Sequence, residues 1–368
     1  MTELLGGGAV QPSPALVIDH AALIDNLRAV RARVAPAELI LVVKDDAYGQ
    51  GLAPIIATAV AEGITWFGVS DLGTALEVRE LAGRATRVLA WPAGASDGVD
   101  RAVRASIDLG VGDAALLETV AAEARAAGAV ARIHLKIDTG LHRNGFRPED
   151  WAETVHRARV LEQSGFFRVV GVWSHIAEAS DAEDDAARAL FDAAVEQLEA
   201  AGMRLELRHL AASAAAFARP EFRYDAVRIG AFCYGVRSAE GPGAGSLGLR
   251  PVATLQGTVV AVHDETVTVA LGSLDGVPST LAGRVAVGTP AGPRELLRVD
   301  ADSLAIVGWP GAAVGDVIAV FGSGMLGERS ATSLAEAIGT IGEEILLRVS
   351  PRIPRLHRGT APVASAER

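Results

Sequence analysis

The two lysines of this chain are the residues whose type points most directly to chemistry. The chain has 34 Lys and Arg residues, and of these only Lys44 and Lys136 are lysines. A lysine can lose its proton and form a Schiff base with a carbonyl compound, whereas an arginine cannot. Because arginine supplies nearly every other cation of the chain, the two lysines indicate amine chemistry.

Each lysine lies in or directly after an apolar run. Lys44 follows the run Leu39–Val43 and is predicted to end a buried strand; a lysine that only extends into solvent is the alternative. Lys136 lies inside a strand, where it must pair with an acid or be chemically altered. Arg143 can hold an oxyanion in the following loop. His175 ends the next strand, either as a functional imidazole or as a buried structural one.

Alternating strands and helices must position these side chains. Short β-type runs alternate with stretches in which apolar residues recur at intervals of three and four. Eight such units in about 200 residues favour a closed (β/α)8 barrel of the TIM type over an open sheet, with the site at the C-terminal ends of the strands. The predicted strands are Glu38–Lys44, Thr65–Ser70, Arg87–Trp91, Ser106–Gly110, Arg132–Asp138, Val169–Ser174, Glu206–His209 and Ala226–Gly230. The predicted helices are Leu52–Glu62, Leu72–Leu81, Asp113–Ala127, Asp150–Gln163 and Ala182–Ala201.

A phosphate site is predicted in the loops after the seventh and eighth strands. Barrels commonly bind phosphate there through backbone N–H groups. Ser213 can cap the helix after the seventh strand, and Gly230 and Ala231 follow the eighth. A reactive lysine and a phosphate site in one barrel mouth suggest pyridoxal phosphate (PLP), because a Schiff base tethers one end of that cofactor and a phosphate cradle anchors the other.

The chain changes character after Arg250-Pro251. The runs Val252–Val262, Thr266–Leu271 and Val317–Phe321 are β-type and are separated by Gly and Pro turns, which predicts a smaller all-β domain. The predicted domains are therefore residues 1–245, a PLP-binding barrel, and residues 246–368, a β-strand-rich C-terminal domain.

Composition and charge exclude several function classes. A net charge of -11 without a basic patch argues against a nucleic-acid partner. No apolar run has the length of a membrane span and no secretory signal is apparent, which favours the cytoplasm. The single cysteine, Cys233, cannot form an internal disulfide, and no Cys/His spacing suits a metal.

Several segments of the chain, given below, resemble those of the alanine racemase family of fold-type III PLP enzymes. The resemblance covers roughly residues 15–240. Val43–Gly51 resembles the family's lysine motif, V-K-A-N-A-Y-G-H-G, and Lys136–Gly145 resembles K-x-D-T-G-M-x-R-x-G. Further segments match in the same order: Ser174-His175, His209–Ser213 and Val227–Gly230.

The resemblance implies how the cofactor would be held. Lys44 would be the Schiff-base lysine and the base on one face of the substrate Cα. The phosphate would be held by Tyr48, Ser213, Gly230 and Ala231.

The resemblance also implies roles around the cofactor ring. Arg228 would face the pyridine nitrogen and keep it unprotonated, Arg143 would contact the phenolic oxygen, and His175 would lie near the ring. Lys136 is the position that is often carbamylated, which gives an anion able to pair with Arg143. The family resemblance further implies a homodimer.

The C-terminal domain departs from the family pattern. The family carries a second catalytic base there, a tyrosine that reaches the partner subunit's site, but this chain passes from Val262 through His263 to Thr266 without that segment. Family motifs at 272–276 and 298–302 also lack their tyrosine and methionine, and no tyrosine follows Tyr234. Another group must then supply the second proton, and His263 is a candidate.

The resemblance predicts a PLP-dependent amino-acid racemase or epimerase that interconverts the L and D forms of alanine or a related small amino acid. Two alternatives stay open. One is a PLP-dependent lyase, of the aldolase or decarboxylase type, that uses only the Lys44 face; the other is a non-catalytic PLP-binding homologue. The residues that would identify the substrate are those that have changed, so the particular amino acid stays undetermined.

Overall fold

The computed structural model describes residues 14–92, 97–237 and 244–359. The chain divides into two compact units. One unit comprises Leu23–Leu249, and the other comprises Arg250–Gly359 with the N-terminal segment through Ala22. Both chain ends, and part of the Gly-rich stretch near the predicted domain boundary, lie outside the described residues.

Strands and helices alternate along the chain as the apolar periodicity predicts, and each predicted barrel strand and helix is present with small differences at its ends. The strands are β1 (Ala15–Asp19), β2 (Glu38–Val42), β3 (Trp66–Val69), β4 (Arg87–Ala90), β5 (Asp108–Val111), β6 (Ala131–Lys136), β7 (Phe167–Trp173), β8 (Leu207–His209), β9 (Ala226–Ile229), β10 (Ala253–Val262), β11 (Thr266–Val269), β12 (Ala286–Val287), β13 (Arg294–Val299), β14 (Leu304–Val307), β15 (Val317–Phe321) and β16 (Arg355–Arg358). The α-helices are α1 (His20–Val34), α2 (Lys44–Gly49), α3 (Leu52–Ala61), α4 (Leu72–Ala82), α5 (Val99–Arg104), α6 (Ala114–Ala127), α7 (Trp151–Glu162), α8 (Asp181–Ala200), α9 (Ser213–Ala218), α10 (Ala331–Ala337) and α11 (Gly342–Leu347).

Strands β2 to β9 form a parallel sheet that curves into a nearly closed barrel. Each strand pairs with the next from β2 to β8, and β2 also pairs with β9. Between β8 and β9 the backbone is joined by two hydrogen bonds, from Asp225 N–H to Arg208 O and from Arg228 N–H to Ala211 O, both 3.1 Å. The predicted fold class, a (β/α)8 barrel followed by a smaller β domain, is confirmed.

Aspartate side chains cap the N-termini of two helices that begin shortly after a barrel strand ends. Asp71 Oδ1 accepts the N–H of Thr74 at 2.8 Å, and Asp113 Oδ1 accepts the N–H of Leu116 at 2.8 Å. Each cap satisfies a backbone donor that the first turn of α4 or α6 cannot satisfy internally. α4 therefore begins close after the end of β3, and α6 close after the end of β5.

Two strand glycines make room for the tryptophans that fill the barrel interior. A Cβ on Gly68 would lie 2.9 Å from the Trp91 ring, and one on Gly110 would lie 3.0 Å from the Trp173 ring. A side chain at either position would collide with the ring, so glycine is required for these contacts. The interior is thus packed with aromatic rings rather than open.

The second unit is built around a sheet in the order β12-β13-β14-β11-β10-β1-β16, with β15 also pairing with β10. β1 runs antiparallel to β10 and parallel to β16. The predicted division into residues 1–245 and 246–368 differs from the two units at this point, because the hydrogen bonds of β1 place the N-terminal segment with the residues that follow Leu249. The helices α10 and α11 belong to the same unit.

The described ranges contain neither a candidate membrane-spanning helix nor a candidate metal site. No helix within them combines the length and the apolarity needed to cross a membrane. No group of three or more His, Cys, Asp and Glu residues in those ranges is arranged to hold a metal ion. Cys233 is a buried free thiol.

Candidate active site

Lys44 lies just beyond the C-terminal end of β2, at the mouth of the barrel: the strand ends at Val42, and Lys44 is the first residue of α2 rather than the last of the strand. Its side chain is 40% exposed, with Nζ 3.7 Å from Asp45 Oδ2 and 5.6 Å from the centre of the Tyr48 ring. The amine is therefore open to a carbonyl compound that enters the mouth, which the attack of a lysine on an aldehyde requires.

The residues after Lys44 form a left-handed turn. From Asp45 to Tyr48 the φ angles lie between 53° and 59°, a conformation that costs an L-residue about 1–2 kcal/mol. Asp46 offsets part of this cost, because its Oδ1 accepts the N–H of the first residue of α3 at 2.7 Å. The turn buries Tyr48, whose ring centre lies 4.9 Å from that of Tyr234. Backbone strain of this kind concentrates at functional sites.

The predicted phosphate-binding residues come together beside Tyr48. A Cβ on Gly230 would lie 2.1 Å from Tyr48 Oη, so the phenol is in close contact with the backbone after β9. The hydrogen bond from Arg228 N–H to Ala211 O holds the loop before Ser213 against the same strand. Within the described ranges, the N–H groups of Gly230 and Ala231 and the hydroxyl of Ser213 have no hydrogen-bond acceptor. These donors are available to an anion.

Arg228, two residues before Gly230, is buried, and its guanidinium donates hydrogen bonds to several acceptors. Nη1 donates to the carbonyl oxygen and the Nδ1 of His209, at 3.0 and 3.1 Å. Nη2 donates to the carbonyl oxygens of Ser174 and Leu210 and to His175 Nδ1, at 2.7, 3.0 and 3.2 Å. Burial, with Arg143 next, lowers the pKa of Arg228 to about 9, so the group stays a cation at neutral pH. Nε donates to none of the described residues, which leaves one N–H for a ligand.

Four cations surround His175. Burial lowers the pKa of His175 well below its usual value, and Arg228, Arg143, Lys136 and Lys44 lower it further. The imidazole is therefore neutral, and because Nδ1 accepts from Arg228 the proton lies on Nε2. Positive charges near a neutral ring favour the binding of an anion in the barrel mouth.

Lys136 is buried within this cluster. Its Nζ lies 4.6 Å from the centre of the Trp173 ring. Burial lowers its pKa to about 8, and Arg228 and Arg143 act in the same direction, against Asp138. Among the described residues Lys136 forms no salt bridge, because Asp138 accepts two loop N–H groups instead. Arg143 is exposed and likewise forms no salt bridge within the described ranges.

The sequence did not single out three residues that connect to this cluster. His209 contacts Arg228, His134 contacts His209 at 2.9 Å, and Trp173 stacks on His209 with ring centres 5.7 Å apart. His134 lies two residues before Lys136 on β6, so the alternation of side chains along a strand puts both inside the barrel. This two-residue period was the sequence signal available for His134. Because the same period applies to every strand residue, it does not distinguish a functional side chain from a structural one.

These groups match what PLP binding requires: an amine and hydrogen-bond donors. An exposed amine can bond to its aldehyde carbon, the free N–H and hydroxyl groups after β8 and β9 suit its phosphate, and the Nε–H of Arg228 suits its ring nitrogen. The cationic mouth matches the negative charge of the cofactor. A nearly closed (β/α)8 barrel with this site defines a PLP-binding barrel protein.

Comparison with known proteins gives the particular family. The alanine racemase N-terminal domain matches residues 18–238, and the alanine racemase C-terminal domain matches residues 255–357. Similar curated proteins are the alanine racemases of Beutenbergia cavernae, 38% identical over 93% of this chain and 97% of that protein, and of Thermobifida fusca, 36% identical over 93% and 97%. The alanine racemase structure from Streptomyces lavendulae superimposes with a TM-score of 0.89 at 34% identity, covering 96% of this chain and 99% of that one. The chain belongs to the alanine racemase family, whose enzymes use PLP.

The segment where the resemblance leads one to expect a tyrosine is a tight hairpin. β10 and β11 pair with Val262 opposite Val267, and the N–H of His263 donates to Thr266 O at 2.8 Å. His263 is exposed at this turn. The motif at 272–276 forms a short turn around Ser273–Asp275, and the motif at 298–302 spans the end of β13 and the turn after it. Neither contains a tyrosine.

Proposed function

We propose that this chain is a PLP-dependent racemase or epimerase that interconverts the L and D forms of alanine or a related small amino acid. The observation that carries the proposal is the exposed Lys44 amine beside a cradle of unused donors in a cationic barrel mouth. Membership of the alanine racemase family supports it, since similar proteins over nearly the whole chain are named alanine racemase. The lyase alternative has no comparable support.

Different residues would hold the two ends of the cofactor. Lys44 would bind it covalently, and Tyr48, Ser213, Gly230 and Ala231 would hold its phosphate. Bound PLP supplies an electron-withdrawing ring that makes the Cα proton of an amino acid acidic.

The other site residues act on the ring and on the proton. Arg228 is a permanent donor at this burial, so it would hydrogen-bond to the ring nitrogen without protonating it. Arg143 would contact the phenolic oxygen, and the Nε2–H of the neutral His175 is a donor beside the ring. Lys44, when its amine is free, is the base for the Cα proton on its own face.

The opposite face has no tyrosine to serve as a second base. Racemisation needs a proton donor there whose pKa is near the working pH. Since no tyrosine follows Tyr234, the donor is a different group, and His263 is a candidate on its chemistry alone. A non-catalytic homologue is the alternative that this departure favours.

A homodimer, a small amino-acid substrate and a cytoplasmic location belong to the same proposal. The family resemblance supports the homodimer, because the second base of the family reaches the partner subunit's site.

Hydrogen exchange at Cα tests the proposed activity. The PLP-loaded protein is incubated in D2O with L-alanine or D-alanine, and products are separated by chiral chromatography and weighed by mass spectrometry. We expect inverted alanine that carries deuterium at Cα. Exchange with full retention of configuration would exclude racemisation and favour one-face chemistry. No exchange with any small amino acid would favour the non-catalytic homologue. The Lys44→Arg variant, which keeps the charge, is the matched control and should show no exchange.

We also propose that Lys136 is carbamylated. Its buried amine with a pKa of about 8 is neutral in roughly a tenth of the molecules at pH 7, and a neutral amine adds to CO2 with release of a proton. The anion formed would lie among the cations Arg143 and Arg228. With 13C-labelled bicarbonate, we expect a carbamate signal in the 13C NMR spectrum.

The low lysine count makes the assignment of that signal direct. The signal should be lost in the Lys136→Arg variant and kept in the Lys44→Arg variant, because these are the only lysines of the chain. A spectrum of Lys136→Arg that is the same as that of the wild type would contradict carbamylation of Lys136.

A further inference from the structure

A continuous chain of hydrogen bonds runs through the barrel interior from Arg228 to Asp108. Arg228 Nη1 lies 3.1 Å from His209 Nδ1, His209 Nε2 lies 2.9 Å from His134 Nδ1, and His134 Nε2 lies 3.2 Å from Asp108 Oδ2. All four residues are at most 5% exposed. They come from four strands, β9, β8, β6 and β5, so the chain crosses the barrel rather than following one strand.

The two ends of this chain determine its direction. An arginine can only donate, so His209 Nδ1 must accept and its proton lies on Nε2. That N–H donates to His134 Nδ1, which places the proton of His134 on Nε2 as well. Asp108 then accepts as a carboxylate. Every bond runs from Arg228 toward Asp108, and no other pair of tautomers satisfies all three bonds.

The surroundings keep His209 neutral and both rings in place. Burial, followed by Arg228 and His134, lowers the pKa of His209 well below its usual value. Trp173 stacks on His209 with an interplanar angle of 6°, and Trp66 meets the His134 ring edge-on at 6.2 Å. A Cβ on Gly171 would lie 2.2 Å from His134 Nδ1, so glycine leaves room for the bond between the two histidines.

Two further arginines hold the carboxylate at the far end. Arg87 Nη2 donates to Asp108 Oδ2 and Arg132 Nε donates to Asp108 Oδ1, both at 2.8 Å. Both arginines also pair with Glu206, at 3.3 Å and 2.7 Å. Glu206 is 32% exposed, and within the described ranges no hydrogen bond or ion pair joins it to His134 or His209. Asp108 and Glu206 therefore share two arginines, but only Asp108 ends the histidine chain.

We propose that Asp108 and His134 are positioning residues for Arg228: through the tautomer of His209 they orient the guanidinium so that its Nε–H is available to the PLP ring nitrogen. If the proton of His209 moved to Nδ1, it would face the Nη1 protons of Arg228, and the guanidinium would have to turn away. Because a purely structural ion pair at Asp108 would not act on the His209 tautomer, the two roles can be separated. The value of this orientation for PLP rests on the proposed function.

The test compares Asp108→Asn with Glu206→Gln as its matched control. Each variant neutralises one carboxylate that pairs with Arg87 and Arg132, but only the first changes the acceptor at the end of the histidine chain; Glu206 also pairs with Arg168 at 3.2 Å. His134→Gln is the second variant; it leaves both arginine bonds of Asp108 intact and serves if Asp108→Asn does not fold. The readouts are the 15N chemical shifts of the His209 ring nitrogens in the labelled holoprotein and the dissociation constant of PLP.

We expect wild type and Glu206→Gln to show His209 protonated on Nε2 alone. In Asp108→Asn and His134→Gln the His209 shifts should indicate a changed or mixed tautomer. The dissociation constant of PLP should rise about tenfold to a hundredfold, the range for losing a hydrogen bond to a charged group. Unchanged His209 shifts and PLP affinity in both variants would overturn the proposal, as would the same change in Glu206→Gln. Because these readouts do not depend on turnover, a wild-type protein that binds PLP but fails the Cα exchange test would refute the racemase activity alone.

Discussion

The Lys44→Arg variant is expected to lose both the covalent cofactor and the activity. Arginine keeps the positive charge at the end of β2 but cannot form a Schiff base. The visible absorbance band of the PLP Schiff base should therefore be absent. Alanine racemisation should fall by about a hundredfold to ten-thousandfold or more, because the variant also lacks the general base. Absorbance spectroscopy after PLP loading, followed by chiral chromatography of the reaction, measures both effects.

The other lysine of the chain supplies the control for this prediction. Lys136→Arg also replaces a lysine of the cationic cluster but leaves the Lys44 amine in place. It should keep the Schiff-base band. If Lys44→Arg still showed the band, or if Lys136→Arg abolished it while Lys44→Arg did not, the assignment of the Schiff base to Lys44 would be wrong.

The Gly230→Ala variant is expected to weaken PLP binding strongly without altering the covalent chemistry. The new Cβ would lie 2.1 Å from Tyr48 Oη, whereas non-bonded carbon and oxygen atoms stay more than about 3 Å apart. Tyr48 must move away from the backbone donors of Gly230 and Ala231. Overpacking of this kind costs about 1–3 kcal/mol, which corresponds to a rise in the dissociation constant of about fivefold to 150-fold.

The backbone at Gly230 makes this effect specific to the contact. Its φ of -113° is accessible to any residue, so alanine introduces no backbone strain there. Gly245→Ala is the matched control, because a Cβ at that position meets no heavy atom within 4 Å. Titration of the apoprotein with PLP, followed by fluorescence, measures the affinities. An affinity of Gly230→Ala equal to that of the control would show that Tyr48 does not pack against Gly230.

The sequence predicted most of the elements that carry the candidate site. Lys44, His175 and the Ser213 loop are predicted near strand ends and Lys136 inside a strand, because apolar periodicity is a local property that shows where a strand lies; in the structure Lys136 is the last residue of β6. The resemblance then brought in Tyr48 and Arg228. The structure brings these residues together in one mouth, although their catalytic and binding roles stay predictions.

Other features could not be predicted from local patterns. The left-handed turn at Asp45–Tyr48 includes Ala47 and Tyr48, which seldom adopt positive φ, so local propensities do not indicate the whole turn. The pairing of β1 with β10 and β16 depends on hydrogen bonds between segments far apart in the chain. The two-residue period of a strand predicts that His134 points into the barrel, but it does not predict which residues hydrogen-bond to it.

By itself the sequence determined the types of group available: two amines among many guanidiniums, a run of parallel strand and helix units, and no tyrosine after Tyr234. These are properties of composition and of short windows along the chain. Only the tertiary structure decided which groups touch, as in the contact of Tyr48 with Gly230 and the bonds that lead from Arg228 to Asp108. Such contacts join residues on different strands, and their distances are set by how the whole barrel closes and packs rather than by any segment alone.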